Sequence, residues 1–162
     1  MPKVGPTDKI IDRMAHVYRI VESHGCVTTT AVMSESGLSH TEAYYVLQLL
    51  QAHNNATKVV VGKTAIWCKD GETAERTLDV LTSTVRRLLC KNGMRYATPT
   101  RVANLIMSDK QAFKLFTKYI QLDKTRRYGY RPVALAFVET LLQRAFGEPV
   151  RNGEKTVYYV TC

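Results

Sequence analysis

The stretch TKVVVGKTAIWC, residues 57–68, restricts the possible folds of this chain more than any other feature of its sequence. Two runs rich in β-branched and aromatic residues are separated only by Gly62 and Lys63, and this spacing predicts a tight β-hairpin. The residues ahead of the hairpin have helical spacing instead. The sequence therefore predicts a fold in which short helices come first along the chain and a β-hairpin follows them.

Two helices and a short strand are predicted at the start of the chain. The first helix can be capped by Thr7 and Asp8, carries apolar residues at three-and-four spacing, and ends at Gly25. The next residues, CVTTT, have the β-branched composition of a short strand that leads into a capping threonine. A second, short helix follows and ends at Gly37.

A third helix is predicted to begin at Ser39. Glu42, three residues later, completes a capping box in which each side chain accepts a backbone N–H of the other residue. The apolar positions of this helix fall on one face, formed by Ala43, Val46, Leu47 and Leu50.

The second half of the chain shows nearly the same order. A long helix is predicted over residues 73–91, after a short charged link, KDGET. Thr98 followed by Pro99 marks the start of another helix, because proline at the first helical position gives up only an unpaired N–H. SDKQ, residues 108–111, repeats the capping-box spacing and opens one more helix, with Ala112, Leu115, Phe116 and Tyr119 on its inner side.

A shift of 69 residues superposes the first half on the second, with Ser39 on Ser108. This match predicts an internal repeat, which arose either by duplication or by convergence on the same packing. The register breaks after Leu122, where the second half inserts KTRRYGYRP and an extra helix over about 132–146.

The pattern resembles the winged helix-turn-helix superfamily, twice, over nearly the whole chain. The likeness lies in TTTAVMSESGLSHTEAYYVLQLLQ with the wing KVVVGKTAIWC, and in ATPTRVANLIMSDKQAFKLFTKYIQ with the wing PVRNGEKTVYYV. The second wing is predicted to turn at Asn152 and Gly153. The resemblance implies an α+β fold, mainly α with small β-hairpins, as two tandem units over residues 7–69 and 73–162. It also implies duplex DNA binding, with the second helix of each unit in the major groove.

The positive charge is concentrated in the second half. The formal net charge is +9; residues 1–69 carry seven Lys and Arg against five Asp and Glu, giving +2, and residues 70–162 carry sixteen against nine, giving +7. A basic surface attracts polyanions, because each neutralised phosphate releases condensed counterions. Nucleic acid is therefore the leading partner class.

Candidate nucleic-acid contacts cluster in the second unit. Lys110, Lys114 and Lys118 have the spacing of one helical stripe, whose like charges destabilise a helix by roughly 0.2–0.5 kcal/mol per pair unless a polyanion is bound. A plain solvated face is the alternative interpretation. The predicted contacts of this unit are Lys110, Gln111, Lys114, Thr117, Lys118, Lys124, Arg126, Arg127, Tyr128, Tyr130, Arg131, Arg151 and Lys155.

The first unit has milder chemistry on its predicted reading helix, which carries no cation. Its predicted contacts are His40, Thr41, Tyr44, Gln48 and, on the wing, Lys63. Such a surface suits weak base contact or a protein interface better than strong phosphate binding.

The cysteines leave two interpretations open. No C-x-x-C pair is present and the histidines have no metal-type spacing with the cysteines, so neither a metal nor a cofactor is predicted. Four small buried thiols are the ordinary interpretation. In a winged helix, however, the strand after the first helix pairs with the last strand of the wing, which would make Cys26 a neighbour of Cys68. Cys90 and Cys162 occupy loosely comparable places in the second unit.

The sequence therefore predicts a non-enzymatic binder of double-stranded DNA, either a transcriptional regulator or a chromatin or replication accessory. It has no glycine-rich phosphate loop, paired-carboxylate constellation or nucleophile beside an evident base. No apolar run approaches the ~18 residues of a membrane span, and a cytoplasmic location is expected, on the nucleoid in a prokaryote. An RNA-binding or ribosome-associated protein and a winged-helix protein adaptor are the alternatives.

Overall fold

The computed structural model describes residues 7–125, 127 and 129–162. This part of the chain contains seven helices and small antiparallel sheets, so the predicted α+β class is confirmed. It divides into two compact units: the chain up to Val59 with Ala65–Glu75, and Val60–Thr64 with Arg76–Cys162. The domain boundaries 7–69 and 73–162 stay predictions. Within the described ranges, no helix has the length and apolarity to cross a bilayer.

The first half of the chain forms three helices and a three-stranded sheet. In chain order its elements are α1 Asp8–His24, β1 Cys26–Thr28, α2 Thr29–Ser36, α3 His40–Ala52, β2 Thr57–Val61 and β3 Thr64–Cys68. The strand order is β1-β3-β2, so the strand after the first helix pairs with the last strand of the hairpin. The β1–β3 register is antiparallel, with Val27 opposite Trp67.

Side-chain caps start each of these helices where the sequence predicted. The hydroxyls of Thr7 and Thr28 accept backbone N–H groups of α1 and α2. The Ser39–Glu42 capping box is present in both directions. The backbone hydrogen bond from Ser39, assisted by its hydroxyl and by Arg13, holds the pKa of Glu42 below its ordinary value.

The core of the first unit is the apolar side of its helices against the sheet. Trp67 is fully buried, and its indole N–H donates to the hydroxyl of Thr29 at 2.9 Å, so the one polar atom of the ring is satisfied. The residues predicted to face inward from α3 are all buried, and the cluster comprises Val17, Ile20, Val21, Val27, Val32, Ala43, Val46, Leu47, Leu50, Ala56 and Trp67.

The second half contains a similar set with an insertion. Its elements are α4 Gly71–Lys91, β4 Tyr96–Ala97, α5 Pro99–Ser108, α6 Lys110–Phe116, β5 Lys124–Thr125, β6 Gly129–Tyr130, α7 Pro132–Phe146, β7 Val150–Asn152 and β8 Lys155–Tyr159. The order β4-β8-β7 repeats the pairing of first and last strands, with Ala97 opposite Tyr158. Five residues of α7 are buried, which makes it a core helix: Ala134, Phe137, Val138, Leu141 and Leu142.

The capping box predicted at Ser108 is wrong by one residue. Asp109 caps α6 by accepting the N–H of Ala112 at 3.0 Å, whereas the Ser108 hydroxyl donates back to the carbonyl of Asn104. Aspartate is as good a cap as serine, and a serine inside a helix is satisfied by the carbonyl one turn earlier. The caps of α2 and α5, Thr28 and Thr98, are 70 residues apart, as are Ser39 and Asp109. The helix starts are thus related by a shift of 70, whereas the buried faces of α3 and α6 keep the predicted shift of 69, with Ala43 on Ala112 and Leu47 on Phe116.

Two further boundaries differ from the predictions. The KDGET stretch is not a linker, because α4 already begins at Gly71 and the carboxylate of Asp70 accepts the N–H of Thr73 at 2.7 Å. The last hairpin turns at Gly153 and the residue after it, since Asn152 still pairs with Lys155 in the ladder. Gly153 has φ +69°, which explains why glycine and not Asn152 takes the first turn position.

Both candidate cysteine pairs are bridged, so the interpretation as free thiols is wrong. Cys26 and Cys68 are joined with S–S 2.08 Å and Cα–Cα 4.0 Å, and Cys90 and Cys162 with S–S 2.02 Å and Cα–Cα 5.9 Å. The first bridge links directly paired residues of β1 and β3. The second joins the last turn of α4 to the residue at position 162.

Within the second unit, Gly62 lies against the backbone of α7. A Cβ built on Gly62 would be 2.5 Å from the carbonyl carbon of Ala136 and 2.7 Å from the amide nitrogen of Phe137, and φ is +64°. A side chain here meets both left-handed strain and a backbone that cannot move aside. Gly153 has a similar φ, +69°, but a Cβ there would meet nothing within 4 Å, so this glycine isolates the conformational part of the cost.

We expect Gly62→Ala to lower the free energy of unfolding by about 3 kcal/mol, because overpacking adds to left-handed strain. Gly153→Ala should cost about 1 kcal/mol from strain alone. Urea unfolding of both variants measures the difference. Equal losses would contradict the close approach of Gly62 to α7.

We also expect the unfolded, unreduced protein to show no titratable thiol. The bridges span 42 and 72 residues, so each contributes about 4 kcal/mol to stability in the chain-entropy model. Reductant should therefore lower the urea midpoint, and it should lower it less in a variant that already carries Cys26→Ala and Cys68→Ala. Four titratable thiols would exclude both bridges, and two would exclude one.

Candidate nucleic-acid interface

The exposed face of α6 presents two lysines beside one aromatic ring. Ala112 and Phe116 are buried on the inner side of the helix. Helical spacing puts Lys110 and Lys114 on the opposite side and Phe113 on the flank beside them, and all three are exposed. The face therefore combines two cations with an apolar group.

The predicted stripe of three lysines is shorter than expected, because α6 ends at Phe116. The hydroxyl of Thr117 donates to the carbonyl of Phe113 at 2.8 Å and lies 3.3 Å from that of Lys114. A bond of this kind also occurs inside helices, so it does not end α6. The backbone bonding changes after Phe116, where the N–H groups of Lys118 and Tyr119 donate to carbonyls three residues back. Lys118 is exposed but lies beyond the helix, so its place in an i, i+4, i+8 stripe is wrong.

Within the basic segment KTRRYGYRP, β5 and β6 pair as a small two-stranded sheet, which we call the basic hairpin. Lys124 pairs with Tyr130 and Thr125 with Gly129, whose φ of +70° favours glycine. Arg127 is exposed near its tip. Two predicted contacts, Arg126 and Tyr128, lie outside the described residues.

Tyr130 anchors this hairpin and is only 3% exposed. Its hydroxyl donates to the side-chain carbonyl of Asn104 on α5 at 2.7 Å, and burial raises its pKa. The ammonium of Lys124 lies 5.2 Å from the centre of the ring, a cation–π distance. Tyr130 was predicted to contact nucleic acid, and its burial does not fit base stacking, because a stacking ring needs a free face.

The other predicted cations of the second unit, Arg131, Arg151 and Lys155, do not form one continuous basic face. Arg131 lies 3.7 Å from the carboxylate of Asp123, which offsets part of its charge. Arg151 and Lys155 are exposed on the last hairpin. Because Arg151 pairs with Thr156 and Lys155 with Asn152, the two cations occupy opposite faces of the ladder.

In the first unit, a lysine of β2 lies beside the aromatic rings of α3 and β3. The ammonium of Lys58 lies 2.9 Å from the Tyr44 hydroxyl, 5.2 Å from the centre of that ring and 5.4 Å from the centre of Trp67. The His40 ring stacks on Tyr44 with centres 6.0 Å apart. Tyr44 and Lys58 are thus engaged with each other, and both are half-buried.

The outer face of α3 is polar and uncharged around one large ring. Thr41 and Gln48 are exposed there, and Tyr45 is 50% exposed between them. Lys63 is exposed in the turn of the first hairpin. Contact of these predicted residues with nucleic acid stays a prediction.

The sequence prediction missed Phe113, which is 40% exposed on α6. The spacing of Ala112, Leu115 and Phe116 already set it off the inner face, so the periodicity contained the signal. In the part of the chain that the structure describes, no three His, Cys, Asp or Glu side chains form a group that could hold a metal ion.

Comparisons with known proteins place the second unit in a family. The family model described as "PSV, transcriptional regulator domain" matches residues 75–159, more than half of the chain. Among solved structures, the hypothetical protein PyrSV_gp04 from Pyrobaculum spherical virus is similar, with a TM-score of 0.81 and 26% identity over 96% of this chain and 97% of that one. No curated protein matches in sequence. The chain belongs to the PSV transcriptional regulator domain family.

Proposed function

We propose that the chain is a non-enzymatic transcriptional regulator that binds duplex DNA through two tandem winged helix-turn-helix units. The second unit supplies most of the phosphate contacts. The observation that carries this proposal is the exposed cationic face of α6, continued by the basic hairpin that follows it along the chain.

The strand topology supports the winged-helix interpretation. In each half, a helix and a short strand precede two helices, and the short strand pairs with the last strand of the closing hairpin. That hairpin corresponds to the wing, and the helix after the turn, α3 or α6, to the reading helix. The insertion β5–β6–α7 between reading helix and wing distinguishes the second unit.

The family name supports the proposal that the DNA binding serves to regulate transcription. The matched residues, 75–159, contain α5, α6, the basic hairpin and the last hairpin. The family name states a regulator, and regulators of transcription act on duplex DNA most directly by binding it.

Charge favours α6 over α7 as the helix that enters a groove. The one cation of α7 is Arg144, which donates to the carboxylate of Asp79 at 2.8 Å, and most of the apolar face of α7 is buried. Lys110 and Lys114 of α6 are exposed and form no ion pair with any described residue. Contacts between lysine and phosphate position the protein on the duplex and contribute affinity, but they do not distinguish one base sequence from another.

The test is fluorescence anisotropy with a labelled duplex of about 30 base pairs, the matching single strand and a structured RNA, over about 50–500 mM salt. We expect the duplex to bind best, with an affinity that falls steeply with salt. The double variant Lys110→Ala, Lys114→Ala should reduce the salt slope by up to about two units, at roughly 0.9 per phosphate.

The matched control is Lys9→Ala with Lys69→Ala, which removes the same charge from exposed positions of the first unit. It should leave the slope nearly unchanged. Absence of binding to all three probes at the lowest salt would contradict nucleic-acid binding. Tighter binding of structured RNA than of duplex DNA would favour the alternative function, RNA binding, over DNA binding.

The anchor at Tyr130 gives a second prediction. Tyr130→Phe removes the hydrogen bond to Asn104 and should cost about 1 kcal/mol of stability. Because the bond holds the basic hairpin on α5, duplex affinity should fall as well, although Tyr130 itself is buried. Asn104→Ala should add little in the Tyr130→Phe background; independent, additive losses would contradict the anchor.

A further inference from the structure

The two helices proposed as reading helices share a feature that phosphate contact does not explain. Each presents one large, half-exposed ring on its outer side: Phe113 on α6, 40% exposed, and Tyr45 on α3, 50% exposed. A single exposed apolar residue needs no explanation in general. Tyr45 and Phe113 do not occupy equivalent positions, since a shift of 69 residues relates Tyr45 to Lys114 and a shift of 70 relates it to Leu115. The shared feature is one large exposed ring on each helix.

The setting of Phe113 limits what its ring can contact. Its inner neighbours Ala112 and Phe116 already fill the core side of α6. The Thr117 hydroxyl is engaged with main-chain carbonyls, and Lys110 and Lys114 carry the charge of the face. Phe113 is therefore the apolar contact group on this face, and its side chain has no atom that can hydrogen-bond.

Only one base-edge group in the major groove is apolar. Guanine, cytosine and adenine present hydrogen-bonding groups there, whereas thymine adds its C5-methyl group. Resting on the proposed function, we propose that Phe113 contacts thymine C5-methyl groups, so that the second unit selects sites with thymine where α6 enters the groove. The lysines hold the backbone on either side of this contact.

The experiment isolates the methyl group. Duplexes are enriched from a random library with the wild-type protein, and the enriched pool is amplified with either thymidine or deoxyuridine triphosphate. The two pools then differ only at the C5-methyl groups. We expect the wild type to bind the thymine pool about fourfold more tightly for each methyl contacted, the factor for burial of one such group.

Phe113→Gln keeps helix propensity and removes the apolar ring. It should bind both pools with nearly equal affinity, whereas Phe113→Leu should keep part of the ratio. Tyr96→Ala is the matched control, because it truncates another exposed ring of the same unit, 53% exposed, outside α6. It should leave the ratio unchanged even if it lowers affinity.

The outcomes separate this inference from the proposed function. A wild-type ratio of one, in a protein that binds duplex DNA, overturns the role of Phe113 and leaves the proposed function standing. A full ratio in Phe113→Gln overturns it too, because the discrimination then comes from elsewhere. Failure to enrich or bind any duplex overturns both. If Phe113→Gln does not fold, Phe113→Leu decides: a ratio below that of the wild type supports the role of Phe113, and an unchanged ratio overturns it.

Discussion

Each half of the chain depends on one antiparallel pairing, between the strand after its first helix and the last strand of its hairpin. In the first unit, Val27 lies opposite Trp67, whose buried ring closes the core and donates to Thr29 at the start of α2. In the second, Tyr158 has the corresponding place, and burial and the nearby Glu139 raise its pKa to about 12. Disulfides reinforce both frames, so the helix after the turn is presented on a rigid support.

Local signals in the sequence were enough to predict most of this frame. Thr7, Ser39 and Thr98 start helices because their oxygens satisfy amide groups that no helix can pair internally. The two-residue turn after Val61 specifies the first hairpin. Such features involve residues only a few positions apart, and their geometry is set by the backbone itself.

Features that depend on competition or on distant partners were not predictable in the same way. Ser108 and Asp109 are both good caps, and in the structure Asp109 caps α6 while Ser108 is the last residue of α5. The role of Tyr130 depends on Asn104, 26 residues away. The candidate surface was therefore predicted by its charges, and the periodicity of α6 contained the signal for Phe113, while the anchoring role of Tyr130 needed the structure.

The most direct test of the central claim is an amide chemical-shift map of the isotope-labelled protein titrated with duplex DNA. Our account predicts the largest perturbations at the exposed face of α6 and at the basic hairpin of residues 124–130, with smaller ones on the outer face of α3. Perturbations confined to α1 and α7, with α6 unchanged, would contradict it.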